Sequence, residues 1–76
     1  MRLGNQLKRC RFDMDDMSQD SLAKAIGVTR QTIISIEKGH FVPSTLLALK
    51  LARYFHKSVE EIFNLIEDDP EETVGE

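Results

Sequence analysis

Residues 19–37, QDSLAKAIGVTRQTIISIE, decide how this chain folds. Counting Gln19 as the first position, Ala23 falls fifth, Gly27 ninth, Val28 tenth, Ile33 fifteenth and Ile36 eighteenth. Ala23 is small enough for a second helix to approach closely, and Gly27 tolerates the left-handed backbone conformation that most residues avoid. Ile33 and Ile36 then form the inner edge of the second helix. The spacing predicts two short helices crossed at a tight turn. Ser18 is a good N-cap for the first, whose Leu22, Ala23 and Ile26 face inward, and Thr29 caps the second.

This stretch, with KGHFVPSTLLALKLARYFHKSVEEIF after it, resembles the Cro/repressor-type helix-turn-helix regulators, the Xre family, over residues 3–66. Several spaced positions must agree at once, which makes the pattern far more specific than a lone short motif. The resemblance implies an all-α, compact five-helix, phage-repressor-like DNA-binding domain whose second and third helices form the helix-turn-helix. It also implies double-stranded DNA as the partner. Carried over residue by residue, it makes Gln19 the holder of a DNA phosphate and pairs Arg11 with Glu37, the glutamate ending the recognition helix. It places Lys38, His40 and Thr45, around the loop that follows, on the phosphate backbone. One departure stands out: FDMDDM between the first and second helices is one residue longer than the family pattern, and the insert is acidic. Asp13, Asp15 and Asp16 either repel a passing DNA backbone or cap and solvate the turn.

The outer face of the third helix carries the chemistry. Turning 100° per residue with Ile33 and Ile36 inside puts Gln31, Ile34, Ser35 and Lys38 opposite, with Arg30 at the leading edge. Gln31 matches an adenine edge through its amide donor and acceptor, and Arg30 can fork onto guanine or a phosphate. Ser35 adds a short polar contact, and Thr32 flanks the face within reach of phosphate. Ile34 is either a contact to a thymine methyl or an incidental surface isoleucine.

Seventy-six residues make one domain with a single shared core, marginal in stability unless the core is efficient or the chain dimerises. No room remains for a second, ligand-sensing domain, and no small-molecule ligand is expected. With 41% hydrophobic residues and no apolar run near eighteen, the chain lacks a membrane span, and MRLGNQLKRC has a charged amphipathic pattern instead of a secretory core. Cytoplasm is the default. The single cysteine, Cys10, excludes an internal disulfide, and with two scattered histidines it cannot complete a four-ligand zinc site. Cys10 lies on an apolar stripe and reads as a small core residue, with a redox-sensing thiol as the alternative. No cofactor is expected.

The formal charge of −3 at first argues against a nucleic-acid partner. Its distribution reverses that. Glu67, Asp68, Asp69, Glu71, Glu72 and Glu76 hold six of the 13 acids, so residues 1–66 carry all 10 basic side chains against seven acids. Location matters here more than the total. Residues 67–76, EDDPEETVGE, are polar, acidic and broken by Pro70, and read as a disordered tail on a domain of residues 1–66.

The remaining helices follow from periodicity. Leu3, Leu7, Cys10 and Met14 recur at steps of three and four, predicting a first helix from Leu3 or Gly4 to Met14. Gly39 stops the third helix at its left-handed C-terminal position. Ser44 caps a fourth helix running to about Phe55, with Leu46, Leu49, Ala52 and Phe55 as its core stripe and Leu47, Leu51 and Tyr54 on an adjacent face. Ser58-Val59-Glu60-Glu61 matches a capping box for a fifth helix containing Ile62, Phe63, Leu65 and Ile66. Phe41, Leu47, Tyr54 and Leu65 are candidates for a homodimer interface.

These readings converge on a sequence-specific DNA-binding transcriptional regulator, most economically a repressor, that inserts its third helix into the major groove of a palindromic operator as a homodimer. A different class stays open: a protein-interaction module, antitoxin-like or adaptor, that keeps the fold and binds little DNA. Enzymatic activity lacks a metal cluster, a glycine-rich phosphate loop or a nucleophile–base pair.

Overall fold

In the computed structural model of the protein, which describes residues 1–67, the elements run β1 (Arg2–Asn5), α1 (Leu7–Asp13), α2 (Gln19–Ile26), α3 (Arg30–Glu37), α4 (Thr45–Phe55), α5 (Val59–Ile62) and β2 (Phe63–Ile66). All five expected helices are present. Each helix from α2 to α5 starts where a side chain can cap it: Ser18, Thr29, Ser44 and Ser58 each accept a hydrogen bond from the backbone N–H three residues on. At α5 the Glu61 side chain returns the bond, accepting from the Ser58 N–H at 2.7 Å and completing a capping box. The Ser58 N–H, and to a lesser degree the Ser58 hydroxyl, hold the Glu61 carboxyl below its ordinary range.

The turn between α2 and α3 is built as the spacing predicts. Gly27 takes the left-handed conformation at φ 88°, and its N–H and that of Val28 both return to the Ala23 carbonyl, at 2.8 and 3.0 Å. Ala23 is buried where the two helices meet. Leu7, Leu22, Ile33, Ile36, Leu51 and Ile62 are the large side chains fully removed from water, so every helix contributes to one core. Cys10 belongs to it, and burial pushes its thiol above the ordinary range.

Two boundaries differ from the expectation. The first helix begins at Leu7 instead of Leu3 or Gly4, and the fifth ends at Ile62 instead of Ile66. The residues so released pair as an antiparallel ladder, Arg2↔Ile66, Leu3↔Leu65, Gly4↔Asn64 and Asn5↔Phe63. Gly4 suits this and not a helix: it is buried, and a Cβ there would overlap the Ile66 side chain folded across it. Met14, expected in the core stripe, is the exposed residue just past α1.

The fourth helix is rotated relative to the expected stripe. Leu47, Leu51, Ala52 and Phe55 are its buried residues, while Leu46 and Leu49 are 70% and 54% exposed. With apolar residues at nearly every position from Leu46 to Ala52, two overlapping stripes satisfy the same period, and packing selects between them. Leu47 is therefore core and no interface residue. Tyr54 is half-buried, edge-on to Phe55 at 5.2 Å between ring centroids, with its hydroxyl 3.9 Å from the Met17 sulfur.

In the α1–α2 connection Asp15 and Asp16 both adopt left-handed φ values, 62° and 58°, and Asp13 pairs with Arg9 one turn back at 3.1 Å. Asp15 and Asp16 thus occupy backbone that aspartate tolerates better than most side chains do. The acidic tail expected from residue 67 lies, beyond Glu67, outside the described residues.

Candidate nucleic-acid interface

Helix α3 is eight residues long, about 12 Å at 1.5 Å per residue. An isolated helix this short is unstable in water, so its position depends on what holds it. Ile33 and Ile36 anchor the inner side, and Thr29 closes the first turn by accepting the Thr32 N–H at 3.2 Å. At the other end Gly39 is left-handed at φ 79°; its N–H reaches the Ile36 carbonyl at 3.0 Å, and the His40 N–H reaches Ser35 at 2.9 Å. This is the Schellman arrangement that satisfies a helix's last carbonyls.

The last residue of α3 is gripped from two other helices. Arg11 meets the Glu37 carboxylate as a fork, Nε donating to Oε2 at 2.6 Å and Nη2 to Oε1 at 3.0 Å, with side chains only 12% and 9% exposed. Its third donor, Nη1, reaches the Met17 carbonyl at 2.7 Å and ties the α1–α2 turn to the same point. Gln19 adds a bond from Nε2 to Glu37 Oε1 at 3.1 Å. A carboxylate only accepts, so Glu37 turns the NH2 side of the Gln19 amide toward itself, and the second N–H on that nitrogen remains to be donated elsewhere. Arg11, Ser18, Gln19, Asp20 and Arg30 line one shallow notch at the start of α2, where unsatisfied backbone N–H groups favour an anion. Asp20 brings a negative charge to that notch, offset by an exposed pair with Lys24 at 3.2 Å.

Of the residues expected on the reading face, Arg30, Gln31 and Lys38 are exposed, while Thr32, Ile34 and Ser35 are half-buried. Gln31 Nε2 and the Ser35 hydroxyl are one turn apart at 3.5 Å. The Thr32 hydroxyl is 3.0 Å from that of Thr29. His40 and Thr45 are both exposed, the first just beyond α3 and the second in the first turn of α4. Among the described residues Arg30 and Lys38 form no ion pair, so both charges are available.

Beside this end of α3 lies an apolar groove that sequence reasoning did not anticipate. Met1, Leu3, Ile36, Phe41, Val42 and Leu65 are among its lining residues, and a second hollow shares Leu3, Pro43 and Phe63 and extends the surface to Ala48 and Leu49. Val42, Leu46 and Leu65 are each about two-thirds exposed. Of the residues expected at an interface, Phe41 and Leu65 are on this surface. Asn5 was also missed, although an asparagine just ahead of an apolar helix start is itself a capping signal.

Comparison with known proteins places this geometry. A profile described as helix-turn-helix matches residues 8–62. An uncharacterised HTH-type transcriptional regulator of Methanocaldococcus jannaschii is 49% identical over 65 residues, covering 86% of this chain and 96% of its own. YgzD of Bacillus subtilis, another uncharacterised HTH-type transcriptional regulator, is 50% identical over 52 residues, 68% of this chain and 79% of its own. The control protein C.MunI from a Mycoplasma species is 33% identical over 69 residues, 91% of this chain and 93% of its own. Among solved structures, a candidate DNA-binding protein from Bacteroides fragilis superposes with a TM-score of 0.71 at 19% identity, covering 82% of this chain and 98% of that one, a likeness of fold alone.

Proposed function

Because the chain belongs to the helix-turn-helix family of DNA-binding transcriptional regulators, in which binding and not enzyme chemistry is the activity, we propose that it represses transcription by occupying a palindromic operator as a homodimer. In this reading α3 enters the major groove. Gln31 reads an adenine edge, Arg30 a guanine or the adjoining phosphate, and Ile34 a thymine methyl, with Ser35 supplying a short polar contact. Gln19 braces a phosphate with its remaining amide N–H, and Lys38, His40, Thr45 and Thr32 contact the backbone alongside. The observation that carries the proposal is the exposed Arg30–Gln31–Lys38 face, its two cations without an ion pair among the described residues, on a helix clamped at its C-terminal end through Glu37.

One copy spans only a few base pairs, so affinity and specificity call for two, with half-sites about 34 Å apart or a multiple of that. The apolar groove beside the β1–β2 ladder supports the pairing, since Phe41, Val42, Leu49 and Leu65 leave large apolar side chains exposed around it. Phe41, Val42, Leu46, Leu49 and Leu65 form the contact in this reading.

The test is selection of bound sequences from a random DNA pool by purified protein, followed by affinities for the winner and for scrambled DNA. A palindrome with strong preference over scrambled DNA is expected. Absence of enrichment refutes the proposal and favours a protein-binding module of the same fold. Leu65→Glu should convert the dimer to monomer in sedimentation and abolish high-affinity binding; a monomeric wild type that binds its site tightly overturns the homodimer.

A further inference from the structure

Helix α3 is held at its C-terminal end from a second direction, outside the helix-turn-helix. Asn5, the last residue of β1, donates from Nδ2 to the Ile36 carbonyl at 2.9 Å, across 31 positions of sequence. The carbonyls of a helix's last turn lack intrahelical donors, so this bond reaches a group with capacity to spare even after the Gly39 N–H has bound it. The other end of the same amide is also used: Asn5 Oδ1 accepts the Leu7 N–H at 3.1 Å and closes the first turn of α1. Next to it the Gln6 N–H reaches the Ile62 carbonyl at 2.7 Å, and Asn5 pairs with Phe63 in the ladder. One half-buried side chain therefore joins the β1–β2 ladder, the start of α1 and the end of α3.

We propose that Asn5 is a positioning residue for DNA reading, a clasp that fixes the C-terminal half of α3 against the β1–β2 ladder so that Ser35 and Lys38 meet the DNA in a set register. The proposal rests on the reading of α3 given above. The task suits asparagine because donor and acceptor must stand on one short side chain; aspartate supplies only acceptors, and glutamine sets its amide one carbon further out. Asn5 and Ile36 both line the apolar groove together with Phe41 and Leu65, so a second copy seated there packs over the clasp. Assembly and reading then share one joint.

Asn5→Asp separates the two functions of the amide. It keeps an acceptor for the Leu7 N–H and replaces the donor facing Ile36 with an oxygen. Asn5→Ala removes both. In the full chain without DNA, amide hydrogen exchange of Lys38, Gly39 and His40 should speed up in Asn5→Asp by about five- to tenfold, the scale of one lost hydrogen bond, while α2 and α4 amides keep their rates. Asn5→Ala should add faster exchange at the start of α1. On DNA, the ratio of affinities for the selected site and scrambled DNA should fall by a similar factor in Asn5→Asp. A uniform repulsion from the new carboxylate lowers both affinities and leaves that ratio alone.

Unchanged exchange at residues 38–40, or an equal rise at every amide, overturns the clasp. Faster exchange confined to residues 38–40 with an unchanged ratio overturns its part in reading. A wild-type protein with no preference between the two DNAs sinks the reading of α3 and the functional half of the proposal with it; the exchange experiment is independent of that result and separates the two failures.

Discussion

Breaking the Arg11–Glu37 pair offers the sharpest quantitative check. Both side chains are nearly excluded from water, and the fork closes at 2.6 and 3.0 Å. Removing either partner strands a charge that cannot easily rehydrate. For Glu37→Gln the guanidinium loses its counterion and faces an amide, and for Arg11→Met the carboxylate retains only the Gln19 bond while the Met17 carbonyl loses its donor. Breaking one side of a buried pair costs about 3–5 kcal/mol. Against a total of about 5–15 kcal/mol for a small domain, that is a large share. Three kcal/mol corresponds to a fall in Tm of roughly 12–24 °C, taking about 4–8 °C per kcal/mol for a chain of this size. The double variant carries no stranded charge, so it should be more stable than the summed losses predict, by about 2 kcal/mol or more. Urea denaturation of all four proteins closes the cycle. Losses that add to within about 0.5 kcal/mol would refute the argument, because independent sites behave that way.

Three further outcomes follow from the same geometry. Gln31→Ala should relax preference at one base position and cost about 1–3 kcal/mol on the best site, whereas Lys38→Ala should weaken all sequences alike; equal losses on every DNA for both variants would remove the division of labour. With Arg11 neutralised by Glu37, the reading face presents two cations that form no ion pair among the described residues, Arg30 and Lys38, so a dimer's log–log salt slope should be about −3 to −4, and a slope twice as steep would bring in cations assigned elsewhere. The Glu61 carboxyl titrates lower when folded than when unfolded, so its stabilisation is present above the unfolded pKa and is lost as pH falls through the folded value; Glu61→Gln should flatten that part of the acid limb in pH-dependent denaturation, and an unchanged profile would contradict the capping assignment.

The residues that make the two central helices were legible because each has a local reason to be what it is. Ser18 and Thr29 cap, Gly27 turns, Ala23 permits close approach, and all four do in the structure what their chemistry predicts. The two-stranded ladder was illegible for the opposite reason. Leu3 and Leu7 are four apart and Ile62, Phe63, Leu65 and Ile66 fit a helical face, so period alone extends both helices across residues that instead pair with one another at a separation of about sixty positions. Gly4 and Asn5 were the local objections to a helix there, and their weight becomes clear only once β2 is alongside. The fourth helix failed differently: a segment apolar on almost every face contains no record of which face is inside. Candidate reading residues could be named from periodicity because α3 has only two strong anchors, Ile33 and Ile36, and everything opposite them is outer surface.

Charge and rigidity are linked in this molecule. In the proposed complex the two cations of the reading face that form no ion pair among the described residues, Arg30 and Lys38, would release few counterions, so phosphate contacts alone would supply little affinity. A regulator built this way has to draw its preference from contacts to base edges, which tolerate displacement poorly because hydrogen bonds weaken steeply with angle and distance. An eight-residue helix does not hold itself to that tolerance. The observed holds answer that need from outside the helix: Arg11 and Gln19 on the Glu37 carboxylate, Asn5 on the Ile36 carbonyl, and Gly39 closing the turn beyond. Three elements, α1, α2 and β1, converge on the last two residues of α3, and the N-terminal end, where Arg30 and Gln31 lie, is left open to the partner.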